Sequence, residues 1–460
     1  MPQARLIIAI DSPEEALGYL AQRERIGDVE MLAPPQVASF MNLLWPGLRF
    51  HAFDQESFFA QASELSESAM EALLIRQLGA LAKRDWDEVI VLGAGPLAPI
   101  LTRYLSAQRW PGVRLNPISG DHEFGSLAAA LASATPAEEG PLHLSELLQL
   151  WAGAPNLPLR PPETELSARL RALKGTRELV LVDLCNLVRD NIPEQLFLID
   201  LYVALAGSAQ FCPLLLVDEG RDHSFLVSRL REKIGDEFHF ISAREESLAQ
   251  LVGAVDVVLS DAPLTLTLAA LFERWSVAVL PDTARAFWLR SWVEGSWVVT
   301  APPQERPSLA GLLGLLAGAE SEKFKELEAY QCKSGELVAP GSYSASYAAW
   351  WCQRALVHKL LGRPAPPAPR KGQLIANYLR AERQASKETF LVLLDEYKRT
   401  QRWDHLWASR ALQERPLLAL ALAPLRLELT EAIPSKDWPK HLKQSLAEFF
   451  DFLDQLEAAN

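Results

Sequence analysis

The stretch LIIAIDSPEEALGYL, residues Leu6–Leu20, indicates the fold class of this chain. Its first five residues are an apolar run of the length of a buried strand. A helix start follows, because Asp11 or Ser12 can cap a helix and Pro13 suits its first position. The acidic Glu15 then favours the positive end of the helix dipole. A buried strand that runs directly into a helix is the repeating unit of α/β proteins with a parallel sheet.

The same unit recurs along the chain. Further buried strands are predicted at Val29–Leu32, Arg49–Phe53, Asp87–Leu92, Glu178–Leu184, Pro213–Asp218, Phe238–Ser242, Asp256–Asp261 and Ser276–Leu280, with helical patterns between them. The run WAGAPNLPLRPP, Trp151–Pro162, interrupts this alternation and is typical of an interdomain linker. The sequence therefore predicts two Rossmann-like α/β domains, residues 1–155 and 163–308, that face each other across a cleft.

Beyond the second domain the pattern becomes helical. We expect a helical closing segment at 309–362 and a helical C-terminal extension at 373–460, separated by the proline-rich linker RPAPPAPRKG, Arg363–Gly372. The extension is a possible surface for a protein partner.

Length, charge and cysteine usage exclude several classes of protein. At 460 residues the chain is too long for one hydrophobic core. A net charge of −13 argues against nucleic acid as a partner, since phosphate neutralisation needs clustered Lys and Arg. No apolar run approaches the roughly 20 residues of a membrane span, and the N-terminus lacks a signal-peptide pattern. The four cysteines show no metal-binding spacing, so we expect free thiols in the cytoplasm, no metal and no cofactor.

Six stretches carry a resemblance to a known family. They are LIIAIDSPEEALGYL (6–20), DVEMLAPPQVASFMNLLWPGLRFHAFD (28–54), DWDEVIVLGAG (85–95), DHEFGSLAAALAS (121–133), NIPEQLFLIDLYVALAG (191–207) and DVVLSDAPLTLTLAALFERWSVAVLPDTARAFW (256–288). Together they resemble the family 9 glycosyltransferases, the ADP-heptose:lipopolysaccharide heptosyltransferases and their relatives of GT-B fold, over about Leu6–Thr300. The resemblance implies a metal-independent, inverting transferase that moves a sugar from a nucleotide-diphosphate sugar to a glycan or protein acceptor.

The resemblance also implies roles for particular residues. Glu15 stands where the family has its catalytic Asp, and Asp11 is the second candidate for a general base. The candidates for donor binding are Arg189, Glu219, Asp261, Thr265 and Thr267. The chain departs from the family where Ala262–Thr267 replaces its Asp-Ser-Gly-Pro-Met-His turn, and where Arg189-Asp190-Asn191 replaces a Lys before Trp-Pro.

Each candidate residue also has a purely structural interpretation. Glu15 and Asp11 suit a helix N-terminus, and Thr265 and Thr267 can serve to cap a helix. Arg189 can be a surface arginine, and Glu219 can belong to a solvated loop. Two functions therefore stay open, a divergent glycosyltransferase and a catalytically inactive GT-B scaffold for protein–protein interaction. The acidic first domain, in which Lys83 is the only lysine up to Leu150, favours a neutral glycan or a protein over an anionic lipid as acceptor.

Overall fold

The computed structural model describes most of the two α/β domains and part of the helical extension. The described residues are 4–10, 13–26, 28–62, 65–91, 97–115, 122–124, 148, 159–161, 164–184, 192–217, 223–242, 245–280, 293, 295–300, 307–317, 328–333, 336–338, 345–361, 372–400, 410–413, 415, 417–419, 421–422 and 438–459. Both predicted linkers lie almost wholly outside these residues.

The strands form two large separate sheets and one small one. They are β1 (Arg5–Ile8), β2 (Val29–Ala33), β3 (Arg49–Ala52), β4 (Asp85–Val91), β5 (Ser106–Arg109), β6 (Val113–Leu115), β7 (His122–Phe124), β8 (Glu178–Asp183), β9 (Phe211–Val217), β10 (Phe240–Ser242), β11 (Val257–Ser260), β12 (Trp275–Leu280), β13 (Trp297–Thr300), β14 (Glu328–Lys333) and β15 (Glu336–Val338). The first domain has the parallel order β3-β2-β1-β4-β5. The second has the order β10-β9-β8-β11-β12-β13-β14-β15, which is parallel as far as β13.

Helices connect the strands and extend beyond the second sheet. They are α1 (Pro13–Gly18), α2 (Arg23–Ile26), α3 (Ala38–Leu44), α4 (Gln55–Ala62), α5 (Glu67–Leu78), α6 (Leu97–Thr102), α7 (Glu165–Lys174), α8 (Ile192–Ala206), α9 (Ser224–Ile234), α10 (Glu245–Ala254), α11 (Pro263–Leu271), α12 (Leu309–Leu316), α13 (Ala345–Leu360), α14 (Gly372–Thr400), α15 (Arg410–Gln413) and α16 (Trp438–Ala459). The predicted fold class, two Rossmann-like α/β domains followed by a helical extension, is confirmed.

The expectation of a wholly helical segment at 309–362 is wrong in one part. After α12 the chain forms β14 and β15, which pair antiparallel with each other and extend the second sheet beyond β13. The sequence holds a signal for this, because Ser334-Gly335 lies between two short runs that contain apolar residues. Strand β14 pairs with β13 on one side and with β15 on the other, but its sequence EAYQCK has no regular alternation of polar and apolar residues that would have indicated a strand.

The two domains share one hydrophobic core. Leu17 and Phe40 of the first domain, each fully buried, belong to the same buried cluster as Leu248 and Leu268 of the second. Helix α1 contacts α11, and α3 contacts α10. Separate clusters cover the other face of each sheet. Helices α1, α3, α10 and α11 thus contribute to the contact between the domains, which meet through apolar side chains.

The helical extension has a core of its own. Most of its buried residues come from α13, α14, α15 and α16, and they include Trp351, Leu379 and Phe449. Helix α13 also reaches the shared interdomain core through Val357, so it joins the extension to the α/β body. Burial raises the pKa of Glu382 in this core, against the hydrogen bond that its carboxylate accepts from Ser386. Among the described helices, none is both long and apolar enough to cross a membrane.

Candidate functional site

The candidate site lies where the strand order of each sheet reverses. In the second sheet the chain leaves β8 in one direction and returns on its other side with β11, and in the first sheet β1 and β4 are related in the same way. Open α/β sheets bind ligands in the crevice at the carboxyl ends of the strands at such switch points. Both central strands are buried over their whole described length, apart from their first residues.

A buried carboxylate lies at the switch point of the second sheet. Asp183 ends β8, is 2% exposed, and is paired in register with Ser260 at the end of β11. Its Oδ2 accepts a hydrogen bond of 2.6 Å from the hydroxyl of Thr265 and one of 3.3 Å from the hydroxyl of Ser260. The Ser260 oxygen in turn accepts a bond of 3.0 Å from the amide of Ala262. These bonds tie the end of two strands to the first turn of α11.

The predicted donor residues Asp261, Thr265 and Thr267 lie just after β11 and in the first turns of α11. Asp261 is 8% exposed, and its amide donates to the carbonyl oxygen of Asp183 at 3.0 Å. Thr265 and Thr267 are 1% and 6% exposed. Pro263 stands at the first helical position of α11, where its missing N–H costs no hydrogen bond. Because the Thr265 hydroxyl already donates a hydrogen bond to Asp183, a ligand would contact the backbone amides of this turn rather than that hydroxyl.

Glu15 lies near the switch point of the first sheet. It lies on α1, after the carboxyl end of β1, and is 8% exposed. One turn later comes Tyr19, whose pKa is raised well above its usual value by burial and, to a lesser extent, by the Glu15 carboxylate. Among the described residues the Tyr19 hydroxyl has no hydrogen-bond partner. A buried hydroxyl without a hydrogen-bond partner lowers the free energy of unfolding by about 1–3 kcal/mol. Such a group is therefore a candidate for a functional role.

Helix α1 of the first domain packs against α11 of the second. Helix α1 carries Glu15 and α11 carries Thr265, so the candidate base and the candidate donor helix belong to neighbouring elements. Asp11, Arg189 and Glu219, the other candidates of the sequence analysis, lie outside the described residues.

Sequence reasoning missed Asp183, Ser260 and Tyr19. The first two have a signal that could have found them, since each is the last, polar residue of an otherwise apolar strand next to the switch point. Tyr19 has none, because a tyrosine in an amphipathic helix start is typical of ordinary core packing.

A second charged cluster lies at the opposite edge of the first sheet, near the amino ends of its strands. The Glu30 carboxylate accepts hydrogen bonds from Arg49 at 3.1 Å, from His51 at 2.9 Å and from Arg84. Burial alone would raise the pKa of Glu30, but these bonds outweigh it and lower the pKa. The cluster joins neighbouring strands and is remote from the switch point, so we assign it a structural role.

A groove of about 450 Å³ also opens at the amino ends of the second sheet, lined by residues that include Trp275, Trp297 and Asp256. The Asp256 carboxylate is already held by Lys174, at 2.8 and 2.9 Å, and by the amide of Leu179 at 2.9 Å. Within the described part of the chain, no group of three or more His, Cys, Asp or Glu side chains is arranged to hold a metal ion.

Comparisons with known proteins give similarity at low identity. The chain is similar in structure to the E. coli heptosyltransferase WaaC with ADP, with 14% identity, a TM-score of 0.48, and coverage of 68% of this chain and 99% of that one. It is also similar to a family 9 glycosyl transferase of Veillonella parvula, with 11% identity, a TM-score of 0.45, and coverage of 70% and 92%. A third similar structure is a Listeria monocytogenes protein described as a putative UDP-N-acetylglucosamine 2-epimerase. It has 12% identity and a TM-score of 0.41, and the alignment covers 80% of this chain and 100% of that one.

No protein-family model matches the chain, and no curated protein matches its sequence. At such identities and TM-scores the similarity carries no argument about activity. The family resemblance of the sequence therefore stays a prediction.

Proposed function

We propose that this chain is a divergent glycosyltransferase that works without a metal, inverts the anomeric centre, and moves a sugar from a nucleotide-diphosphate sugar to a hydroxyl of a glycan or protein in the cytoplasm. The second domain binds the donor near Arg189, Glu219, Asp261, Thr265 and Thr267. The first domain presents the acceptor to Glu15, with Asp11 as the alternative base.

One observation supports this proposal most directly, the contact between α1 and α11. A transferase of two domains must bring the base and the acceptor hydroxyl of one domain to the anomeric carbon of the donor that the other domain holds. Here the helix that carries Glu15 packs against the helix that starts at the switch point of the second sheet. The buried hydroxyl of Tyr19, one turn after Glu15, has no hydrogen-bond partner in the part of the chain that the structure describes, and it adds a polar group at the same boundary.

Sugar transfer has two chemical requirements at this boundary between the domains. A carboxylate must take the proton of the acceptor hydroxyl as its oxygen attacks the anomeric carbon, which is the role of Glu15. Positive charge or aimed hydrogen-bond donors must face the diphosphate as it leaves, because negative charge develops there. The amides of Leu264 and Thr265, in the first turn of α11, and the guanidinium of Arg189 are the groups that we assign to this second task.

A second function is favoured by a specific observation, the apolar nature of the interdomain contact. Residues on α1 and α3 are buried in one core with residues on α10 and α11, and a donor and an acceptor would have to displace such packing in order to bind between them. A catalytically inactive scaffold needs no such space. In that case the helical extension, which has its own core, is the element that we expect to meet a protein partner.

Calorimetric titration separates the two functions. We expect one of ADP, UDP, GDP or dTDP, or its sugar conjugate, to bind the wild-type chain below millimolar concentration, and Arg189→Ala to weaken this binding by on the order of 1–3 kcal/mol. Arg229→Ala is the matched control, since Arg229 pairs with Glu232 on the exposed face of α9. If no nucleotide binds below millimolar concentration, the scaffold function is correct and the transferase is not.

A further inference from the structure

We infer that the groove at the amino ends of the second sheet binds a small organic cation, an ammonium group carried on an apolar body. The groove lies where β8, β11, β12 and β13 begin, at the opposite edge of the sheet from the crevice of the candidate site. It is therefore a separate site, and the inference is independent of the proposed transfer of a sugar.

The walls of the groove are apolar and aromatic. Trp275 and Trp297 are the first residues of β12 and β13, and their side chains lie on the same face of the sheet, because Trp297 is paired in register with Val277. Leu315 and Leu316 of α12 line the groove as well and belong to the same buried cluster as Trp297. A groove of about 450 Å³ with such walls can hold the apolar body of a small molecule.

The indole of Trp275 is held in place, and its polar group already has a partner. Its Nε1 donates a hydrogen bond of 2.8 Å to the carbonyl oxygen of Gly295. The ring is half-buried and packs against the cluster that contains Trp297. Since the N–H is engaged, a ligand meets the carbon atoms of this ring, and the negative face of an indole attracts cations more strongly than that of any other side chain.

The ionisable groups at the groove favour the same class of ligand. Glu178, the first residue of β8, is exposed, and an exposed carboxylate is negatively charged at neutral pH. Its Oε2 accepts a hydrogen bond of 3.5 Å from the side-chain amide of Gln210, which carries no charge. Among the described residues that line the groove there is no lysine or arginine. The carboxylate of Glu178 is thus available to an ammonium group.

Two cations lie nearby, and both act on other groups. Lys174 is held by the Asp256 carboxylate at 2.8 and 2.9 Å, so these two charges balance each other. Arg177 acts electrostatically on Tyr202 and Cys212, neither of which lines the groove. The charge that remains at the groove is therefore negative.

The end of α12 adds to this negative charge. Its last residues, Leu315 and Leu316, and the following Ala317 lie at the groove, and its last turn has no basic residue. A helix C-terminus carries roughly half a negative elementary charge. An anion would be repelled by this helix end and by Glu178, whereas a cation is attracted by both of them and by the indole face. The groove therefore selects a cation.

Three compounds with the same body and different charges test the inference. At neutral pH para-fluorophenethylamine is a cation, para-fluorophenylethanol is neutral and para-fluorophenylacetate is an anion, and the binding of each is followed by fluorine NMR line broadening. We expect the amine to bind the wild type at least about fivefold more tightly than the alcohol, and the acetate to bind most weakly. Absence of amine binding up to about 10 mM, or equal binding of the amine and the acetate, overturns the inference.

Two variants locate the amine in this groove. Glu178→Gln keeps the shape of an exposed side chain and should weaken amine binding about two- to fivefold, with the alcohol unchanged. Trp275→Leu keeps an apolar side chain without the ring and should weaken it about threefold or more. Glu232→Gln is the matched control, an exposed carboxylate on α9 outside the groove, and should leave amine binding unchanged.

The test stays decisive if one variant fails to fold, which circular dichroism and thermal melting establish. Because Glu178 is exposed, its replacement is expected to fold even where Trp275→Leu does not. Unchanged amine binding in folded Glu178→Gln, or an equal loss in Glu232→Gln, overturns the inference. Neither result depends on whether the chain binds a nucleotide or transfers a sugar.

Discussion

Replacing Leu17 by alanine should loosen both α/β domains, although the residue belongs to only one. Leu17 lies on α1, is fully buried, and belongs to the cluster that the two domains share. The substitution removes three buried carbon atoms with their hydrogens, and the lost hydrophobic stabilisation is roughly 2.4 kcal/mol at about 0.8 kcal/mol each. The cavity left behind adds to this, so the expected loss in free energy of unfolding is about 2–5 kcal/mol.

Hydrogen exchange followed by mass spectrometry shows where this loss falls. In Leu17→Ala we expect faster amide exchange in α10 and α11 of the second domain as well as in α1. The matched control is Leu74→Ala on α5, also buried, in a cluster made of first-domain residues alone. It should destabilise the first domain by a similar amount and leave α10 and α11 unchanged. Faster exchange confined to the first domain in Leu17→Ala would refute the shared core.

Three further predictions concern single groups. The folded-state pKa of Glu30 is lowered, so its contribution to stability is present above about pH 4.3 and is lost as the pH falls through the folded value. In thermal melting, Glu30→Gln should therefore lower stability by about 1–2 kcal/mol at pH 7 and by progressively less in acid. The folded-state pKa of Glu382 is raised, so its contribution to stability is lost as the pH rises through the folded value. Glu382→Gln, whose side-chain oxygen can still accept a hydrogen bond from Ser386, should therefore raise stability by on the order of 1 kcal/mol at pH 7–8 and not at pH 4. An unchanged melting temperature at pH 8 would contradict this. A Cβ on Gly112 would clash with the carbonyl oxygen of Val91, so Gly112→Ala should lower the free energy of unfolding by about 1–3 kcal/mol or more in urea denaturation, and a neutral result would contradict this clash.

The strands of both sheets could be predicted because buried parallel strands are nearly continuous apolar runs. The runs at Leu6–Ile10 and Glu178–Leu184 begin or end within one or two residues of β1 and β8. The edge strand β5 could not be predicted in this way. Ser106–Arg109 is mostly exposed and polar, so β5 lacks the apolar signal and is defined by pairing with β4.

The candidate site could be predicted in part, for a similar reason. The positions of Glu15 and Thr265 follow from local signals, since each lies near a helix start after a buried strand. The bond between Asp183 and Thr265 joins residues 82 positions apart, and no local pattern encodes it. The same holds for the contact between α1 and α11, because the sequence shows apolar helix faces but not which helix covers them.

The role of Glu15 as the base of a sugar transfer is tested by comparing turnover in the wild type and in Glu15→Gln. Release of the nucleoside diphosphate from a nucleotide sugar that binds the chain would be followed in both, with calorimetry of the same sugar as the measure of donor binding. The substitution keeps the shape of the side chain and removes its basicity, so we expect turnover to fall by roughly 10²–10⁴-fold. Donor binding should be unchanged, since Glu15 lies on the other domain. Equal turnover in the two proteins would contradict the assignment of Glu15 and make Asp11 the next residue to replace.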